Sequence, residues 1–278
     1  MHDSVTAPLN YLAKRTADLA TYTYDPPDGA PRFNGQLHAH DTRIWNAREL
    51  SGRIGFDECG FTCLRRRSNV IASNDDAQLR TFGYAEAGEW IADALKASTV
   101  IVFDHTYRQR APGRPPLDGL GGSFSTVRSP VGRVHADFTP RSAPARIAGL
   151  LGLTATDALP PYRIVGLWRS LNPQPLNDAP LALASAPTVD PADLVPNAIV
   201  YPQRRGETYA VLHNERHRWF YYPAMENDEA LLFLHFDSRY AHAGTVPHTA
   251  FEDPTSPADA APRHSLEMRA LVLACKGR

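Results

Sequence analysis

A His-X-Asp lies in Val134-His135-Ala136-Asp137-Phe138-Thr139, and His248 follows far downstream in Pro247-His248-Thr249-Ala250-Phe251. Fifteen positions beyond His248 stands Arg263, in Pro262-Arg263-His264-Ser265. Two imidazoles and one carboxylate can take one face of a metal ion and leave three positions for a cosubstrate and dioxygen, the arrangement that suits non-haem iron(II) with a 2-oxo acid. Residues two apart on a strand share a face, so a strand over Val134 to Thr139 turns His135 and Asp137 one way and Val134, Ala136 and Phe138 the other. If the first face looks into a barrel, both side chains reach one ion. His248 is preferred as the third ligand because Pro247 fixes its approach and Thr249-Ala250-Phe251 continues as a strand.

Period-two alternation also groups Arg263, Ser265, Glu267 and Arg269 on one face of the last strand, with Leu266, Met268 and Ala270 on the other. An unpaired guanidinium inside a barrel is costly, so these arginines need an anion. A dicarboxylate cosubstrate supplies one, and the guanidinium fork matches a carboxylate with two parallel hydrogen bonds. Arg263 is the first choice for the far carboxylate of 2-oxoglutarate, Ser265 adds a hydroxyl, and Arg269 is the reserve. Candidates for the substrate pocket are Tyr107 and Arg108, at the end of an apolar strand, the neighbours Trp168 and Arg169, and Tyr222, whose hydroxyl can reach inward from an aromatic run.

Each of these motifs has a plainer reading. A lone histidine on a strand is more often hydrogen-bonded than metal-bound, Trp219-Phe220-Tyr221-Tyr222 reads as core, and Asp104-His105-Thr106-Tyr107-Arg108 reads equally well as a satisfied polar cluster. The order His-X-Asp, distant His, following arginine strand carries more than any member alone. His38-Ala39-His40-Asp41 offers two imidazoles at strand spacing, yet no arginine follows in the required order. No Gly-X-Ser-X-Gly elbow appears, since Gly121-Gly122-Ser123 lacks the strand-turn-helix context, and there is no glycine-rich nucleotide fingerprint.

What must position these residues is a mainly β chain. At 278 residues, with 43% hydrophobic content and 24 prolines, the sequence suits one large core of short elements rather than a helical bundle. Strands are expected over Thr99 to Phe103, Tyr162 to Leu171, Leu181 to Ala184, Thr208 to His213, Arg218 to Tyr222, Glu229 to Asp237, Thr249 to Glu252 and Ser265 to Leu273. Helices are expected over Tyr84 to Ala97 and Ser142 to Leu151. Residues 1–40 read as an N-terminal arm with a helical piece around Leu9 to Ala20, residues 41–278 as one domain, and the proline- and glycine-rich stretch Ala111 to Pro130 as a candidate lid. The balance of 29 basic against 30 acidic residues gives a net charge of −1, which argues against nucleic acid or membrane lipid as the main partner. Cys59, Cys63 and Cys275 form neither a disulfide framework nor a repeated zinc pattern, and no signal peptide or spanning segment is read, so a reducing cytoplasm is expected. A homo-oligomer is compatible with all of this.

Several segments carry a family likeness: Phe103-Asp104-His105-Thr106-Tyr107-Arg108, the His-X-Asp stretch, Leu167-Trp168-Arg169-Ser170-Leu171, Trp219 to Met225, Asp228 to Phe233, Pro247 to Pro254 and Pro262 to Arg269. From about residue 45 to the C-terminus the chain resembles the CmcJ/NvfI-like family of non-haem iron oxygenases, which includes AsaB-like and gibberellin desaturase-like proteins. The resemblance implies a double-stranded β-helix of the jelly-roll or cupin type with flanking helices. It also implies Fe(II), 2-oxoglutarate and dioxygen, and oxidation of a small specialised metabolite with release of succinate and carbon dioxide. His135, Asp137 and His248 stand where such a family needs its ligands. One departure is visible: Gly166-Leu167 occupy a place where a larger polar or aromatic residue is expected. Outcomes in the family range over hydroxylation, desaturation, cyclisation and peroxidation. Two rival readings make different predictions: an accessory protein would keep its function in His135→Ala, and a metal oxygenase independent of 2-oxoglutarate would turn over in Arg263→Ala.

Overall fold

Val5, Ala7, Leu9 and Tyr11 are buried while Thr6 and Pro8 are exposed, a strand's alternation that a helix would not produce. The start of the segment expected to be helical, Leu9 to Ala20, is instead the end of a strand, Ser4–Leu12 (β1), paired antiparallel with Leu37–Asn46 (β3) from Ser4↔Trp45 to Leu12↔Leu37, and the rest of that segment is not helical either. The computed structural model describes residues 3–26, 29–50, 52, 54–69, 75–117, 119–120, 128–153, 160–240 and 244–275. Part of the expected lid, at 118 and 121–127, and Gly121-Gly122-Ser123 lie outside these.

The remaining strands are β2 (Ala20–Tyr22), β4 (Phe61–Arg65), β5 (Ala97–Gln109), β6 (His135–Ala136), β7 (Tyr162–Ser170), β8 (Leu181–Ala184), β9 (Leu194–Val200), β10 (Arg205–Val211), β11 (Trp219–Tyr221), β12 (Glu229–Asp237), β13 (His248–Ala250) and β14 (His264–Cys275). Among the described residues they form two sheets, ordered β1-β3-β11-β8-β13-β6-β10-β9-β2 and β4-β12-β7-β14-β5. The two curl around one interior as a double-stranded β-helix, the architecture the sequence leads one to expect. Every residue of β12 is buried, and a helical layer covers the outside of this sheet, with the short helix Phe56–Cys59 against β12 itself.

That layer contains Tyr84–Leu95, a helix whose Ala87, Trp90 and Ile91 recur at helical spacing and are buried. It packs against β5 and β14 and ends at Lys96 in the left-handed region, with φ 50°. A second helix, Ser142–Leu151, follows directly on the His-X-Asp segment. Thr139 starts it: the Thr139 hydroxyl accepts from the backbone N–H groups of Arg141 and Ser142.

Candidate metal centre

The strand expected over Val134 to Thr139 shrinks to two residues, β6, which sits between β13 and β10. His135 is directly opposite His248 across the β6/β13 pair, and their rings lie 4.4 Å apart. Alternation thus points His135 inward while Ala136 joins Val134, Ala182, Ala184 and Trp219 in a core cluster on the other side of the sheet. Asp137 is placed differently, by a bend caught between the β6 pairing and the Thr139 cap. Phe138 leaves the sheet altogether and packs with Ile164 and Phe236 of the smaller sheet. Even so, the Asp137 Oδ1 lies 3.7 Å from the His135 Nε2, and one ligand atom each of His135, Asp137 and His248 falls within 4.8 Å of the others.

Both imidazoles are prepared in the same way. The Nδ1–H of His135 donates to the Arg133 carbonyl at 2.9 Å, and that of His248 to the Val246 carbonyl at 3.1 Å. A carbonyl only accepts, so each proton is fixed on Nδ1 and each Nε2 keeps its lone pair for a cation. Burial pushes the His135 imidazole down to about 3, with His248 beside it adding to the effect, and burial lowers His248 as well. Both rings are therefore neutral near pH 7, the form that binds metal. Burial alone would raise the Asp137 carboxyl, but the Arg269 guanidinium and the imidazoles around it hold it well below the usual carboxylate range.

Arg269 is the reserve cosubstrate residue, and its guanidinium is already occupied. Its Nε donates to the Asp137 Oδ2 at 2.8 Å, its Nη2 lies 2.7 Å from the same oxygen and 3.0 Å from the Glu267 Oε2, and its Nη1 is 3.3 Å from Asp104. The other Glu267 oxygen is 3.1 Å from the His235 Nε2. Asp137, His235 and Glu267 form a second group of ligand-type atoms within 4.8 Å. Arg269 and the His235–Glu267 hydrogen bond occupy both carboxylates of that group, although the His235 Nδ1 has no partner among the described residues, whereas in the first group both imidazoles keep Nε2 free of a hydrogen bond among the described residues. Burial would raise Glu267, yet Arg269 and His235 together bring it down to about 2.

Arg263 contrasts with Arg269. It is 2% exposed and has no ion pair among the described residues. Its Nε donates to the Ser265 hydroxyl at 2.9 Å, its Nη1 to the Ala179 carbonyl at 2.8 Å, and its guanidinium lies 4.9 Å from the Trp168 ring centre. Burial lowers its pKa to about 9, with Arg108 contributing in the same sense. Trp168 is itself buried, and its indole N–H has no partner among the described residues. A buried cation without an anion and an orphaned donor beside it are the features of a place kept for a carboxylate.

Register sorts the pocket candidates. Arg108 and Ser170 stand opposite Ser265, and Thr106 and Trp168 opposite Glu267, so Arg108 and Trp168 share the interior face. Tyr107 and Arg169 stand opposite Leu266 and face outward. The Arg169 Nη1 is 3.9 Å from Glu86 on the outer helix, and Tyr107 packs on His105, whose Nδ1 is 2.9 Å from the Tyr84 hydroxyl. Tyr222 is not brought to the cluster either: it lies in the core with the Arg48 guanidinium 5.8 Å from its ring. His38 and His40 meet each other at 3.0 Å on β3, and His40 stacks on His213, away from the ligand group.

His235 escaped the sequence reading although its signal was present: one titratable residue inside Ala230-Leu231-Leu232-Phe233-Leu234-His235-Phe236, a strand otherwise apolar. Gly166 makes room for it. A Cβ at Gly166 would come 2.6 Å from the His235 Nε2 and 2.9 Å from the Phe233 ring, so the small residue is required by the ring that fills its place. Gly166→Val is expected to cost about 1–3 kcal/mol of stability, since overpacking a full interior forces its neighbours off their rotamers. Thermal unfolding monitored by circular dichroism measures this, and an unchanged Tm would mean that the ring moves aside freely.

Comparison with known proteins places this arrangement. A family model described as an oxidoreductase/YMDC permease-like domain matches residues 9–273, so the likeness extends well upstream of residue 45. The chain is 30% identical over 205 residues, 72% of either chain, to the alpha-ketoglutarate-dependent dioxygenase tstK of Talaromyces stipitatus. It is 26% identical over 265 residues to the Fe(II)/2-oxoglutarate-dependent dioxygenase nvfI of Aspergillus novofumigatus, over 92% of this chain and 91% of that one. The solved iron and alpha-ketoglutarate-dependent endoperoxidase NvfI superposes with a TM-score of 0.84 over 99% of this chain and 100% of that one, at 22% identity, and so shares the fold. With a jelly roll matched along its whole length and a domain model spanning nearly all of it, the chain belongs to the NvfI-like family of Fe(II)/2-oxoglutarate-dependent dioxygenases.

Proposed function

We propose that His135, Asp137 and His248 are the protein ligands of Fe(II), that Arg263 with Ser265 grips the far carboxylate of 2-oxoglutarate, and that a small specialised metabolite is oxidised between them. The observation that supports this reading is the pair of imidazoles with Nδ1–H tied to carbonyls, each offering a ligand atom within 4.8 Å of an Asp137 carboxylate oxygen. Bound there, Fe(II) and 2-oxoglutarate supply an oxidant from dioxygen, with succinate and carbon dioxide as coproducts. The protein's own part is positional. The β6/β13 register sets the angle between the imidazoles, Arg269 turns the Asp137 Oδ2 away so that Oδ1 faces the ligand group, and the Trp168 ring backs the guanidinium that holds the cosubstrate's far end. Whether the outcome is hydroxylation or desaturation depends on where the substrate carbon is held, which is a matter of the pocket and not of the ligand set.

No helix among the described residues is long and apolar enough to cross a membrane. Free Cys59 and Cys63 support a reducing cytoplasm as the working compartment. The test is anaerobic titration of metal-free protein with Fe(II) and then 2-oxoglutarate. A visible charge-transfer band should saturate at one cosubstrate per chain, and admission of air should release succinate in step with 2-oxoglutarate consumed. Failure of both ions to bind, measured by calorimetry, would overturn the assignment.

A further inference from the structure

We propose that Arg108 binds a carboxylate of the organic substrate, so that the metabolite oxidised here is an anionic small molecule. The inference rests on the reading above, in which Arg263 is taken by the cosubstrate. Once that is so, Arg108 is left as a cation in the interior without a carboxylate partner among the described residues. Arg108 lies on the interior face of β5, opposite Ser265, and is half-buried. Among the described residues its guanidinium donates one hydrogen bond, from Nη1 to the Ser129 carbonyl at 2.8 Å, and no carboxylate of those residues lies within ion-pair distance of it.

Three other buried or half-buried arginines each hold a carboxylate. Arg110 holds Asp178 at 2.6 Å, Arg163 holds Asp237 at 2.8 Å, and Arg269 holds Asp137. The carboxylates closest in influence to Arg108 are committed elsewhere: Glu267 to His235 and Arg269, and Asp137 to Arg269 and the metal ligands. Burial lowers Arg108 to about 10, and Arg128 and Arg269 push it the same way, yet it stays protonated near pH 7. Enclosing an unanswered charge is destabilising, and a fold that keeps one has a ligand to offset it.

The surroundings of Arg108 also point to how such a ligand enters. Arg128 is exposed and tied to the same strand, its carbonyl accepting from Gln109 N–H at 2.8 Å. The two cations thus form a step from the rim inward, and a cleft lined by one sign of charge concentrates ligands of the opposite sign. One enclosed guanidinium balances the single charge of a carboxylate and matches it with two parallel hydrogen bonds. A phosphomonoester carries nearly two charges and would exceed it.

The experiment uses protein loaded anaerobically with Fe(II) and 2-oxoglutarate and titrated with octanoate, benzoate and the corresponding primary amides. Calorimetry reads binding, and persistence of the charge-transfer band shows that the probe has not displaced the cosubstrate. At least one acid should bind about tenfold or more tightly than its amide, the difference between a charged and a neutral partner. Arg108→Gln should erase that preference and leave 2-oxoglutarate affinity within about threefold, while Arg108→Lys keeps part of the preference. Equal binding of acids and amides by the unaltered protein would overturn the proposal. So would an Arg108→Gln variant that loses 2-oxoglutarate instead, because Arg108 would then belong to the cosubstrate clamp. If 2-oxoglutarate itself fails to bind the unaltered protein, the reading under Proposed function is what fails, and the Arg108→Gln comparison of acids with amides on metal-free protein still decides this one.

Discussion

Asp137→Ala is expected to reduce Fe(II) affinity by at least about a hundredfold and to abolish succinate formation, the largest effect of any single substitution in this chain. Losing an outer partner of a metal ligand costs up to about a hundredfold, and a ligand matters more than its partner. The apo protein should still fold, because Arg269 keeps Glu267 at 3.0 Å and Asp104 at 3.3 Å after Asp137 is gone. Asp137→Asn separates charge from shape. Its amide preserves the volume, but if its N–H2 takes the Oδ2 position it faces the donors of Arg269, and if its oxygen does, the N–H2 faces the metal. Either flip leaves one conflict, so metal affinity should fall nearly as far as in the alanine variant. Calorimetric Fe(II) titration under nitrogen, with thermal unfolding of each apo protein as the folding control, checks both. Retention of tight Fe(II) binding in Asp137→Ala would shift attention to the His235–Glu267 group as the metal's seat.

The clustering of the candidate ligands was legible because a strand has period two and because β6 and β13 are neighbours in the sheet, with His135 and His248, 113 positions apart in the chain, in register. The interior row Arg263, Ser265, Glu267, Arg269 was legible for the same reason. What periodicity cannot supply is the partner across the barrel, so nothing in the sequence said that Arg269 reaches Asp137 while Arg263 reaches no carboxylate. Some of the rest was readable and not read. Tyr107 with Arg108, and Trp168 with Arg169, are adjacent on strands, so only one of each pair can face the pocket. Val5, Ala7, Leu9 and Tyr11 alternate plainly, but the strand they form gains its stability from β3, more than twenty residues on, and short-range helical spacing masked it. Asp137 is a third kind of case: it arrived at the predicted place through a bend and a helix cap rather than through the alternation that suggested it.

Arg263→Leu and Arg269→Leu should fail in different ways, and the difference decides which arginine is the cosubstrate clamp. Arg269 lies on β14, and Arg263 immediately precedes that strand. Arg263 has no carboxylate partner among the described residues, and if it is the clamp proposed above, its removal takes two charge-assisted hydrogen bonds from the far carboxylate of 2-oxoglutarate. The KM for 2-oxoglutarate should rise by about a hundredfold with Fe(II) affinity little changed, a magnitude set by bonds between charged groups. Arg269 is tied to Asp137, and its removal frees the Oδ2 and leaves Glu267 and Asp137 as neighbouring carboxylates without the cation between them. Here Fe(II) affinity should fall by about ten- to a hundredfold, while 2-oxoglutarate affinity at saturating Fe(II) holds. Arg269→Lys should recover part of the loss, since a point charge can still stand between two carboxylates, whereas Arg263→Lys should recover less, because a lysine cannot reproduce the planar fork. Paired titrations of metal and cosubstrate on all four variants read the split. Were Arg269→Leu to raise the 2-oxoglutarate KM and Arg263→Leu to leave it unchanged, the roles would have to be exchanged, and the uncompensated charge at Arg263 would need another anion to explain it.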